Sequence, residues 1–384
     1  MKVAGIIVEY NPLHNGHLHH ILKTRELSKC DILIAVTSGN FTQRGEPAII
    51  DKFTRTKFAL LNHVDLVVEI PYVLTVQNAN IFALSAVSIL NHLLVDEIYF
   101  GSESGSIEEL TKLSDILDSD KYNELVKENM GEGYSFPTAS DYAVRELTDT
   151  DLYSKPNNIL GIQYISAVKK LKSNIILKTI ERINSDYHDT KLNHSNIQSA
   201  TAIRKLIVNN DDFSKYVPKD VFTELSNRKP VLFNQFTDIL KYKLKSMTSN
   251  DLNQIFSMEE GIENWILKTK DFSSVDELIQ NLLTRRYTNS KIKRSLTHIL
   301  LNLRKDEVKS LTVPYIRVLG MNDTGRSHLN KIKKELTIPL VTKILKNKHP
   351  YLELDLRASK IYSLYSDKDV YKMEFEPVIY KHND

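Results

Sequence analysis

The sequence predicts an α/β fold: a doubly wound, Rossmann-like parallel sheet in the N-terminal part, followed by a mostly helical C-terminal region. Three observations carry this. Short β-branched apolar runs recur between residues 3 and 100, each of a length suited to a strand buried on both faces. Between them lie segments with apolar residues at three- and four-residue spacing, which is helical. At 384 residues the chain also exceeds one typical core, and the change of pattern divides it into residues 1–212 and 213–384.

The first run is Val3 to Val8. Asn11-Pro12 ends it, because proline cannot extend a ladder and pushes its predecessor out of the helical region. From Gly16 the pattern turns helical, with Leu18, Ile21, Leu22 and Leu27 on one face. The stretch from Gly5 to His20 therefore reads as strand, tight turn and helix N-terminus, with His14 and His17 on the turn. Such a terminus offers unpaired N–H groups and positive potential to a phosphate. Gly16 leaves the floor bare, so a ligand can approach backbone. His14, His17, His19 and His20 admit two other readings, a metal cluster or solvated histidines. A metal site usually adds a carboxylate or cysteine at coordinating spacing, and this helix has none there. Nucleotide binding is the reading favoured, with no metal held by the protein.

Asp31 to Val36 is the second strand, and it feeds the loop Thr37-Ser38-Gly39-Asn40-Phe41-Thr42-Gln43-Arg44-Gly45-Glu46-Pro47. Ligands of open α/β sheets bind at that carboxyl edge, and Arg44 is suited to a carboxylate or phosphate. A helix over about 51–62, a third strand at Asp65 to Glu69, a helix over 80–94 and a fourth strand at Glu97 to Phe100 complete a βαβαβαβ order. Gly101 stands at the mouth of the fourth strand, where a base or ribose can pass close to backbone. Pro156-Asn157-Asn158 opens another helix, with one asparagine expected as cap and the other facing a ligand. A fifth strand, Asn174 to Ile180, delivers Arg182 to the same layer as Gly16 and Gly101. Ser199, Thr201 and Arg204 gather two hydroxyls and a guanidinium at a further helix start, a clamp for a triphosphate.

Composition excludes some classes. Hydrophobic content of 41% and charged content of 26% are ordinary for a globular protein, and no apolar run reaches about 18 residues, so no membrane span is expected. No secretory signal is visible, and the single cysteine, Cys30, cannot form an intrachain disulfide. A reducing cytoplasm is the expected compartment. The net charge is only +3, but residues 285–348 hold sixteen Lys or Arg against four acids. Within that stretch Arg285, Arg286, Tyr287, Lys291 and Arg294 form a basic cluster with one aromatic ring, the pattern of a nucleic-acid surface. Trp265 lies in an apolar helical spacing and is assigned to the core. Pro314 to Gly320 reads as one more strand, and Gly325-Arg326 opens a basic helix.

His14-Asn15-Gly16-His17 together with Ser199-Ala200-Thr201-Ala202-Ile203-Arg204 resembles the two motifs of the HxGH nucleotidylyltransferase superfamily. Gly5 to Gly16, Ser38 to Pro47, Pro156 to Gly161, Arg285 to Leu300 and Pro314 to Arg326 resemble, more narrowly, the bacterial tRNA(Met) cytidine acetate ligase family. The likeness covers nearly the whole chain, and Ser-Gly-Asn-Phe-Thr-Gln-Arg-Gly-Glu-Pro is its most discriminating part. Gln198 and Ala200 stand where the superfamily often has hydroxyl residues.

The resemblance implies that acetate attacks the α-phosphate of ATP, with Mg²⁺ on the phosphates, to give acetyl-adenylate. The acetyl group then passes to N4 of the wobble cytidine of elongator tRNA(Met). It implies His14, His17 and Arg204 as catalytic, and ATP contacts at Ile7, Val8, Glu9, Tyr10, Asn11, Pro12, Asn15, Gly16, His20, Gly101, Asn157, Arg182, Ser199 and Thr201. Asn40 and Arg44 are the candidates for acetate, and the basic cluster those for tRNA. A cofactor-type nucleotidylyltransferase would share both motifs, yet has no use for so large a basic region. A non-catalytic RNA-binding protein would not require the histidines, hydroxyls and Arg204 together. An acetyl-CoA-dependent transferase needs a pyrophosphate loop that is not found here.

Overall fold

The computed structural model describes residues 1–182, 196–259, 261–269, 271–344 and 349–382; Lys346 and Lys348 of the basic stretch lie outside them. The predicted strands form at β1 Val3–Val8, β2 Ile32–Ser38, β3 Leu66–Ile70, β4 Glu97–Ser102 and β5 Ile176–Glu181. They are mutually parallel in the order β5-β4-β1-β2-β3. β2 and β3 are buried throughout, which is why they read as unbroken apolar runs rather than alternating ones. Helices Asn15–Ser28, Lys52–Leu61, Ala79–His92 and Pro156–Leu171 make the crossovers. The last sits close on β4: a Cβ at Gly161 would lie 2.4 Å from Phe100 Cε2.

The chain leaves β1 toward β2 and β3 on one side and returns to place β4 and β5 on the other. Strand order thus reverses between β1 and β4, and the crevice at their carboxyl ends is where such sheets receive ligands.

The region after residue 212 is mostly helical, yet it adds three strands to the same sheet. β6 Ile316–Asn322 runs antiparallel to β3, with Leu66 opposite Met321 and Glu69 opposite Arg317. β7 Leu340–Val341 and β8 Ile379–Lys381 both pair with β6. Gly320 permits the approach, since a Cβ there would meet Thr56 Cγ2 at 2.6 Å. Asn322 donates to Asp65 Oδ1 at 2.7 Å and fastens the far end.

A buried charge cluster locks this junction. Lys52 Nζ lies 2.7 Å from Glu69 and 2.7 Å from Glu374, and Arg317 is 3.6 Å from Glu374. Asp355, on helix Pro350–Tyr362, accepts from the Tyr72 N–H and the Tyr315 hydroxyl, each at 2.7 Å. Burial, helped by the charge on Glu69, pushes the Asp355 carboxyl up to about 8. One apolar core runs continuously through both parts of the chain. Among the described residues no helix is long and apolar enough to cross a membrane.

Candidate active site

A cavity of about 440 Å³ opens at the β1/β4 reversal. One wall is the β1 turn with His14, His17 and His20; a second is Gly101, Asn157 and Arg182; a third is Ser199, Thr201 and Arg204. The fourth is the 42–46 loop, with Arg44 and Glu46. Ile7, Val8, Glu9, Tyr10, Asn11 and Gly16 also border it. Sequence reasoning missed an apolar side built by Phe82, Phe100, Leu160 and Tyr164, suited to a base. The i, i+4 spacing of Leu160 and Tyr164 after Asn157 was its available signal. A hollow of equal volume around Arg326 and Lys331 is only a shallow dent along one helix, with no convergent chemistry.

The first turn is a reciprocal cap. His14 is the N-cap of helix Asn15–Ser28, and its Nδ1 accepts from the His17 N–H at 3.3 Å; His17 Nδ1 accepts from the His14 N–H at 3.4 Å. An Nδ1 that accepts carries no proton, so each neutral ring holds its hydrogen on Nε2, as a donor. The rings stack with centroids 3.7 Å apart, and Tyr10 meets His17 edge-on at 5.1 Å. Burial, reinforced by the Arg182 charge, lowers His14 to about 3. His17 is held well below the usual histidine range by burial and by the charges of His14 and Arg182. Burial and Arg182 also lower His20, to about 4. These are neutral hydrogen-bond donors at physiological pH. Among the described residues no group of three His, Cys, Asp or Glu side chains is placed to hold a metal ion.

Arg204 ties the two motifs together. It donates to the Asn11 carbonyl at 2.9 Å and to Thr201 Oγ1 at 3.2 Å, and reaches Glu46 at 3.5 Å. Ser199 caps helix Ala200–Asn209 through the Ala202 N–H at 3.2 Å. Across the cavity Arg182 donates to Asn157 Oδ1 at 3.4 Å, and Asn157 donates to Glu103 at 2.6 Å. Glu9 Oε1 accepts from the Gln43 N–H at 2.8 Å. Burial raises its carboxyl, against the opposing pull of the Gln43 N–H and Arg55.

Some predicted residues are consumed by the fold. Asn15 turns its amide to the carbonyls of Asn196 and Lys215, each at 2.9 Å. Asn40 is 3% exposed, donates to Ser359 Oγ and accepts from the Lys52 N–H, both at 2.9 Å. Neither it, Pro12 nor Asn15 borders the cavity. The asparagine pair separates: Asn157 is on the wall, whereas Asn158 is fully buried, accepting from Glu103 and Ser104 and donating to Leu152. In the basic cluster Arg285 and Arg286 are exposed, Lys291 and Arg294 half-buried. Tyr287 is corrected to an inward position: at 8% exposure it closes the turn before helix Asn289–Leu301 and offers no ring face. Trp265, assigned to the core, is 37% exposed, with its indole N–H on the Leu282 carbonyl at 3.3 Å.

The comparisons with known proteins agree with this arrangement. The family model described as HIGH Nucleotidyl Transferase matches residues 1–376. A Bacillus subtilis protein named tRNA(Met) cytidine acetate ligase is 40% identical, covering 100% of this chain and 96% of its own length. A Caldicellulosiruptor saccharolyticus protein of the same name is 41% identical over 95% of this chain and 94% of its own. The crystal structure of Thermotoga maritima TmcAL bound with alpha-thio ATP superposes with a TM-score of 0.91 at 33% identity, covering 100% of both chains. Fold, cavity and sequence converge, and the chain belongs to the HIGH nucleotidyl transferase family.

Proposed function

We propose that the chain is an ATP-dependent ligase that activates acetate as acetyl-adenylate and acetylates N4 of the wobble cytidine of elongator tRNA(Met). The observation that carries this is full-length identity near 40% to relatives named tRNA(Met) cytidine acetate ligase. The cavity chemistry supports it. Two neutral Nε2–H donors, the helix N-terminus and the guanidiniums of Arg182 and Arg204 face one space, which suits an α-phosphate gaining charge as a carboxylate attacks it. The acetate oxygen bonds to Pα, the Pα–O–Pβ bond breaks, and pyrophosphate leaves past Arg204, Ser199 and Thr201. Arg44 on the adjoining wall is the candidate for the acetate carboxylate, with Asn40 supporting its loop from behind.

The cytidine N4 then attacks the acetyl carbonyl, AMP departs, and N4 gives up a proton. Glu9 is the acceptor we assign, because a carboxylate of raised basicity on the wall is suited to that transfer. Mg²⁺ brought with ATP would sit on phosphate oxygens and water, since the described residues offer no ligand cluster for it. Residues 1–212 would carry the nucleotide chemistry, and the basic cluster within 213–384 would supply cationic contacts to the RNA, across one continuous core. A reducing cytoplasm, where tRNA is processed, fits the lone Cys30.

The test is incubation with ATP, Mg²⁺, labelled acetate and elongator tRNA(Met) transcript, followed by nucleoside analysis. Label in N4-acetylcytidine, lost in His14→Ala, is the expected result. ATP left intact in the presence of acetate would overturn the proposal and favour a cofactor-type nucleotidylyltransferase.

A further inference from the structure

Beyond the cavity, one exposed surface combines aromatic rings with guanidinium groups. Tyr134 precedes helix Phe136–Leu147, and Phe136 and Tyr142 project from it, 55% and 43% exposed. Tyr142 meets Tyr134 edge-on at 5.0 Å, and the Arg285 guanidinium lies 4.0 Å over the Tyr134 ring. The Ser135 N–H donates to the Arg285 carbonyl at 3.0 Å, which fastens the two segments. Arg285 and Arg286 are exposed, and among the described residues neither forms an ion pair.

Helix Asn289–Leu301 leads from this surface to the cavity. Lys293 reaches Glu46 at 2.7 Å, and Thr297 donates to the Gly45 carbonyl at 2.6 Å. The backbone of Arg294 packs so tightly on Gly45 that a Cβ there would lie 2.4 Å from its nitrogen. The helix start thus stands roughly 8 Å, at about 1.5 Å per residue, beyond the loop that walls the cavity. Arg294 itself is half-buried and has no acid or hydrogen-bond partner among the described residues. Burial lowers it to about 10, as for a cation whose counter-ion is brought by a ligand.

We propose that this surface binds single-stranded RNA: an unpaired base beside the acetylated nucleotide stacks on Tyr134, Tyr142 and Arg285, and a backbone phosphate meets Arg294. The proposal rests on the tRNA-acetylation reading and deepens it. Splayed loop bases stack on aromatic and guanidinium planes, whereas paired bases keep their faces inside the duplex. A rim carrying Arg285 and Arg286 suits a polyanion and opposes burial under an apolar protein face.

Tyr142→Ala, Phe136→Ala and Arg294→Gln are assayed for tRNA acetylation, with the ATP–acetate half-reaction run without RNA as the control for folding. The KM for tRNA is expected to rise about tenfold in each, with kcat changed less than threefold. An anticodon stem-loop carrying 4-thiouridine beside the reactive cytidine is expected to crosslink within residues 134–142. An unchanged KM in all three, while the wild type acetylates normally, would overturn the proposal. So would a wild-type dimer that Tyr142→Ala converts to monomer with KM unaltered, since the patch would then join two copies. If the wild type acetylates no tRNA, the parent reading has failed, and the crosslink alone decides whether the platform takes RNA.

Discussion

Replacing Gly101 by alanine separates ligand contact from fold integrity. Gly101 pairs with Ile180 on β5, and its backbone is outside the left-handed region, so an alanine is conformationally allowed. The added methyl would lie 3.2 Å from Arg182 Cγ, 3.7 Å from Cδ and 3.8 Å from Nη1. The Arg182 stem must therefore retreat by a few tenths of an ångström. Among the described residues its guanidinium makes a single long bond, to Asn157 at 3.4 Å, so the retreat is cheap for the fold. Stability should change by less than about 0.5 kcal/mol. The guanidinium, however, shifts within the cavity that it lines together with His14 and His17. A hydrogen bond to a charged group contributes about 1.5–3 kcal/mol, so its loss corresponds to a roughly ten- to hundredfold rise in the KM for ATP. Acetate-dependent pyrophosphate release gives the KM, and a urea midpoint gives the stability. A KM within twofold of wild type would refute the placing of Arg182 on the nucleotide. A weaker KM matched by an equal fall in stability would refute the claim that the effect is local.

Other outcomes follow from the same geometry. Glu9→Gln keeps the shape of the wall but removes the proton acceptor; adenylate formation should persist while transfer to cytidine falls by about 10²–10⁴ in single-turnover assays. Lys52→Met leaves Glu69 and Glu374 buried without their ammonium, and should cost about 3–5 kcal/mol by denaturation at neutral pH. Burial raises the Glu69 carboxyl and Lys52 opposes that rise, so without the ammonium the penalty should grow as pH rises from about 4 and shrink in acid. His14 has the opposite sense: its folded value of about 3 lies below the unfolded histidine range, so its contribution is present above pH ~6.5 and lost as pH falls toward 3. At pH 5.5 the loss is about 1.4 kcal/mol, read as a urea-midpoint shift that His14→Asn should reduce.

The N-terminal strands were legible because β1 to β4 are short β-branched runs punctuated by Pro12, Gly39, Pro71 and Gly101, all local signals. β6 was legible as a strand but its partner was not. Antiparallel pairing with β3 is decided by Gly320 fitting against Thr56 and by the Lys52–Glu69–Glu374–Arg317 cluster, contacts far apart in sequence. The site divides along the same line. Topology alone brings His14, Gly101 and Arg182 to one edge, since the carboxyl ends of parallel strands must share it. Which polar side chains remain available there depends on where every hydrogen bond goes. Asn15, Asn40 and Asn158 look in sequence as suited to a ligand as Asn157 does, but their amides are already bonded to backbone carbonyls and a hydroxyl. One residue of helix phase, about 100°, puts Asn157 beside Arg182 and Asn158 under the 103–104 turn. Tyr287 and Trp265 exchanged their expected places for the same reason: apolar spacing marks a helix face, but only the packed neighbour determines whether that face is covered. In this chain the positions of the ligand-facing groups follow from strand topology, and their freedom to act follows from hydrogen bonds that no local pattern encodes.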